Sequence, residues 1–113
     1  MAQTDAKPIA ETPKETTPDY YYIPEYVTWL EDEKTFKIEV ELPGVKKENI
    51  KIKAIRDSFE LTATRGAIGY ELDLELGFEV DPEKIQSHYE EGLLTLTLKL
   101  EDPMDSAVDV KIE

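Results

Sequence analysis

His88, the one histidine of the chain, is the first residue to consider for chemistry, because an imidazole changes charge near neutral pH. It stands in "IQSHYEEG", close to Glu90 and Glu91, and a second acidic run, Glu31-Asp32-Glu33, lies far upstream. Carboxylates and an imidazole can share acid–base work when burial drives their pKa values apart. Neither acidic run has that setting: both fall at breaks between apolar stretches, where carboxylates stay hydrated and ionised. His88 falls on the polar parity of an alternating stretch. Cysteine is absent, which removes thiol catalysis, disulfides and thiolate metal ligands. The acidic spacing matches no calcium loop. Gly66 and Gly69 precede no helix that could cradle a phosphate, so their expected task is a tight chain reversal. The expectation is no catalytic residue, no metal, no cofactor and no enzyme activity.

Charge narrows the partners further. The chain has 113 residues and a formal charge of −13, from 26 acidic and 13 basic side chains, so phosphate backbones and anionic bilayers would repel it. Neither nucleic acid nor membrane is an expected partner. No stretch approaches the ~20 apolar residues of a membrane span, and "MAQTDAKPIAETPKE" lacks the apolar stretch of a signal peptide. The chain is read as cytoplasmic.

The elements that would position any site have a period of two. "FKIEVEL" puts Phe36, Ile38, Val40 and Leu42 on one face and Lys37, Glu39 and Glu41 on the other. "IKIKAI", "SFELTAT", "YELDLEL" and "LLTLTLKL" repeat the pattern, and a shorter strand is expected across Ile85, Ser87 and Tyr89. Turn chemistry separates them at Pro43-Gly44, Arg56-Asp57, Gly66 through Gly69, Asp81-Pro82 and Gly92. "KKEN" and "DPEK" suit single helical turns. Many short strands with no helix between them predict an all-β fold, an antiparallel immunoglobulin-like β-sandwich. Residues 1–19, with Pro8, Pro13 and Pro18 and few large apolar groups, are expected to form a disordered polar arm. Residues 20–101 are the expected domain, and 102–113 a flexible tail. At the arm's junction Tyr20, Tyr21, Tyr22 and Ile23 form an apolar patch, either packed on the sheet or open to a client or partner; Pro24 places any strand there on an edge.

Two stretches resemble the small heat-shock proteins, the α-crystallin domain family. "VELPGVKKENIKIKAI" is similar to the family segment in which a strand ends at Leu-Pro-Gly. "IQSHYEEGLLTLTL" is similar to its Gly-x-Leu element, with Ser87 in place of the usual alanine. The resemblance covers about Tyr26 to Glu113. It implies a chaperone that works without ATP, binding partly unfolded client proteins and preventing their aggregation. It also implies that aliphatic residues of the tail, Val108, Val110 and Ile112, dock on a neighbouring subunit. The groove for tail or client would lie among Ile52, Ala54, Ile85, Ser87 and Tyr89. Both Val108/Val110 and Val110/Ile112 fit the docking pattern, so the register is open.

Within the family the chain resembles the archaeal and bacterial type with a shortened inter-strand loop, "RGAIG", too short to carry a strand across a dimer. Self-association to a dimer or small oligomer through the tail is therefore expected. Two alternatives remain: a p23-like co-chaperone domain binding a chaperone ATPase, suggested by Tyr26 and Trp29, or an interaction module without chaperone activity.

Overall fold

Alternating apolar and polar residues become strands because each strand presents one face to a core and the other to water. The computed structural model of the chain describes residues 18–113; most of the expected polar arm lies outside the described residues. Eight strands follow one another: β1 (Tyr20–Tyr22), β2 (Tyr26–Asp32), β3 (Thr35–Glu41), β4 (Ile50–Ile55), β5 (Ser58–Arg65), β6 (Ile68–Glu75), β7 (Gln86–Glu90) and β8 (Leu93–Lys99). They build two four-stranded sheets, ordered β1-β6-β5-β4 and β2-β3-β8-β7. All pairings are antiparallel except β1 with β6. The all-β sandwich read from the alternation is the fold.

The core lies where the inward parities meet. Ile38, Val40 and Leu42 from β3 and its end pack with Phe59, Leu61 and Ala63 of β5, Leu72 of β6, and Leu94, Leu96 and Leu98 of β8. Fully burying each such aliphatic side chain contributes about 1.5–3 kcal/mol. Thr35 is the single buried polar residue of the described chain, and its hydroxyl accepts a hydrogen bond from Lys99 Nζ at 2.8 Å. Single 3-10 turns occupy Lys47–Asn49 and Pro82–Lys84, as "KKEN" and "DPEK" suggest, and a third spans Pro103–Ser106.

One turn expectation is corrected. Only Gly66 and Ala67 separate β5 from β6, with Gly66 at φ 59°. Gly69 lies buried inside β6. A Cβ there would stand 2.7 Å from carbons of the Tyr21 ring and 3.1 Å from Pro18. Its lack of a side chain lets β1 lie against β6, with Tyr21 paired to Gly69 and the Asp19 amide donating to Ala67 O at 2.9 Å.

Candidate functional site

The two sheets end on one side at β4 and β7, neither of which has a further neighbour among the described residues. Along β4, Ile50, Ile52 and Ala54 are half-buried while Lys51 and Lys53 are exposed. On β7, Ser87 and Tyr89 stand opposite Leu96 and Leu94 of the core, so they share the inward parity, and His88 takes the outward one. Between these edges opens a cavity of about 300 Å³. Ile50 and Ile52 line it from one sheet, Ser87, Tyr89 and Leu94 from the other, with Lys47 and His88 also on its wall. That volume is at the lower bound of small-molecule sites and suits short side chains better than a cofactor.

The structure thus brings Ile52, Ser87 and Tyr89 together. Ala54 instead borders a separate hollow with Ile55, Phe59 and Leu74, and Ile85 packs half-buried against the core. Ile50 and Lys47 are lining residues that the sequence reading passed over. Ile50 carried a usable signal, since it shares the parity of Ile52.

One end of the groove is tied to the two sequence motifs. The amide of Val45 donates to Leu42 O at 3.2 Å across Pro43-Gly44, with Gly44 at φ 77°, which only glycine adopts without strain. The Leu42 amide donates to Gly92 O at 2.7 Å. A Cβ on Gly92 would lie 3.2 Å from Pro43 Cα, so the second turn must be bare where the first presses on it. The Tyr89 hydroxyl sits 2.8 Å from Leu42 O and 2.7 Å from Val45 O, with one proton to share between them. Burial pushes this phenol above the usual tyrosine range. The Leu-Pro-Gly and Gly-Leu-Leu stretches, half a chain apart, are therefore one junction bracing the groove.

The opposite side of the sandwich is apolar and open. Tyr20, Tyr21, Tyr22 and Ile23 are all exposed, on β1 and just beyond it, and the exposure continues through Tyr26, Val27, Trp29 and Leu30 of the edge strand β2. The patch at Tyr20–Ile23 is thus the start of a longer exposed apolar run that reaches Leu30.

The candidate chemical groups are solvated. His88 Nε2 lies 3.1 Å from Glu90 Oε1, both side chains mostly in water. Asp32 Oδ1 accepts from the Lys34 amide at 2.9 Å. That bond, with help from Thr35, holds the Asp32 carboxyl below the usual aspartate range. A carboxylate so ionised is a turn anchor rather than a proton donor. Among the described residues no cluster of three or more His, Cys, Asp or Glu could hold a metal ion, and no helix is long and apolar enough to cross a membrane.

The chain is thus a two-sheet β-sandwich with a β4–β7 groove, a Leu-Pro-Gly junction and an aliphatic tail. Residues 28–113 match the model of the Hsp20/alpha crystallin family, and the chain belongs to that family. It is a small heat-shock protein, and its chaperone role follows from the family. The match falls on the heat-shock side of the sandwich alternatives. Heat shock protein 16.0 from Schizosaccharomyces pombe is similar in structure, with TM-score 0.62, 21% identity and coverage of 81% of this chain and 99% of that one. A small heat-shock protein from Xylella fastidiosa, described as forming a distinct high order structure, gives TM-score 0.64 at 13% identity, covering 81% and 95%. The A102D mutant of hsp14.1 from Sulfolobus gives 0.60 at 18%, covering 80% and 78%. At these identities the likeness shows the shared fold. No curated protein matches by sequence.

Proposed function

We propose that the protein is an ATP-independent holdase that binds extended apolar segments of partly unfolded proteins and prevents their aggregation. In this reading residues 20–101 are the working domain, 102–113 the docking tail, and the cytoplasm the place of action. Tail and client compete for the β4–β7 groove by adding to a sheet edge. The rim from Tyr20 to Ile23 offers clients a second surface.

One observation carries this reading. Val108, Val110 and Ile112 stand 83%, 87% and 92% exposed on a segment without secondary structure, while the same chain presents an open, isoleucine-lined groove. Docking would be shallow in free energy. Two buried aliphatic side chains contribute about 3–6 kcal/mol, and four backbone hydrogen bonds roughly 2–6 kcal/mol. Ordering six residues costs about 6–12 kcal/mol. These terms nearly cancel, so one tail exchanges freely and several together hold a small oligomer through effective concentration.

Deleting 108–113, or making Val110→Gly with Ile112→Gly, tests this by light scattering and by suppression of client aggregation. The expected result is a smaller solution mass and altered suppression. If both stay at the values of the intact protein, the tail has no part in assembly or client binding.

A further inference from the structure

On the β4 side of the groove the sign of the charge runs against that of the whole chain. The formal charge is −13, yet "KKENIKIK", residues 46–53, carries Lys46, Lys47, Lys51 and Lys53 with Glu48 as its one acid. All four lysines are exposed, and among the described residues none forms an ion pair. Their positions differ in one respect. On the outer face of the sheet Lys53 stands opposite Glu60 of β5, whereas Lys51 stands opposite Thr62. Among the described residues no strand lies beyond β4. Lys51 is therefore a cation with no acid across the ladder on one side and an empty edge on the other.

The segment that follows the domain has the complementary pattern. Asp109, Lys111 and Glu113 alternate with Val108, Val110 and Ile112, all exposed. We propose that Lys51 sets the register in which this segment of a second copy adds to the free edge of β4. Val108 and Val110 then sit on Ile50 and Ile52, and Asp109 lies across from Lys51. This rests on the groove reading given above and adds what that reading leaves open.

The geometry is independent of strand direction. In an added strand, residues directly opposite share a face of the sheet. If Asp109 faces Lys51 on the outer face, its two neighbours fall opposite Ile50 and Ile52 whether the segment runs parallel or antiparallel. Sliding by two residues to seat Val110 and Ile112 there brings Lys111 across from Lys51, and like charges directly opposite are unfavourable. Lys47, on the groove wall, adds attraction for an acidic segment. By the same chemistry the groove favours client segments in which one acidic residue stands between two aliphatic ones.

The test uses the full chain and labelled synthetic peptides of residues 105–113, with binding read by fluorescence anisotropy at low and high salt. Against the native protein, the Asp109→Lys peptide is expected to bind roughly two- to thirty-fold more weakly than the native peptide, the swing from an opposed pair to a like pair. A Lys51→Glu protein should reverse that preference, and added salt should erase it. Val108→Ser should weaken binding more than Ile112→Ser. Equal binding of the native and Asp109→Lys peptides to both proteins, or greater sensitivity at Ile112 than at Val108, overturns the charge-set register and leaves groove docking standing. If a Val108→Ser/Val110→Ser/Ile112→Ser peptide binds like the native one, groove docking itself fails.

Discussion

Tyr89 joins the groove wall to the turn that closes it, through one hydroxyl reaching Leu42 O and Val45 O. Tyr89→Phe keeps the ring and removes those bonds, at an expected cost of about 1 kcal/mol. In a domain of this size that is a fall in melting temperature of about 4–8 °C. The pH dependence follows from the raised phenol pKa. The folded state prefers the protonated form, so the contribution is whole below about pH 10, the usual tyrosine value, and is lost as pH climbs through the higher folded value. Thermal melts from pH 8 upward should show wild type and Tyr89→Phe converging at the alkaline end; a constant gap would show that this hydroxyl is not the source. The residue scale is also where the sequence was hardest to read. Gly66 and Gly69 look equivalent in "RGAIG", but one bends the chain and the other lies under Tyr21. That contact joins residues 48 positions apart and leaves no local pattern. Ile50, by contrast, was legible by parity with Ile52.

At the scale of elements, the four sheet edges are not equally guarded. β4 carries Lys51 and Lys53, and β1 is three residues long between Pro18 and Pro24. β7 is short and polar apart from Tyr89. β2 runs seven residues with no lysine or proline, and its register shift comes only between Leu30 and Asp32. Lysine on an edge is a common protection against pairing with another chain. Leu30→Lys should therefore lower self-association and non-specific aggregation, read by light scattering. Leu30 is mostly exposed, so stability should shift by no more than about 0.5 kcal/mol. An unchanged mass would mean that β2 takes no part in association. Alternation made the inner strands β3, β5 and β8 legible, because each has one face in the core. It could not tell that β2 would be uncovered on both faces, since exposure there depends on where the facing sheet ends.

For the whole molecule, charge decides how readily copies approach. The sequence isoelectric point is about 4.4, so at neutral pH net repulsion opposes the approach of copies, with the lysine-bearing β4 edge a local exception. Lowering pH from 7 towards 5 at fixed low salt should raise the weight-average mass, and restoring pH should return it; a mass indifferent to pH would mean that net charge does not limit association. Fold class followed from the period of two. The register proposed for the tail did not, because three evenly spaced aliphatic residues offer two equal pairs, and the choice of one of them rests on the pairing of Lys51 with Thr62 on the adjoining strand.

The Gly66-Ala67 link bears on how copies would leave an assembly of the proposed kind. It is too short to lend a strand to another molecule, and among the described residues all eight strands find their partners inside one chain. A copy can therefore depart without opening either sheet. In an assembly of the proposed kind, subunit exchange would be governed by the lifetime of peripheral contacts and would not require the domain to unfold.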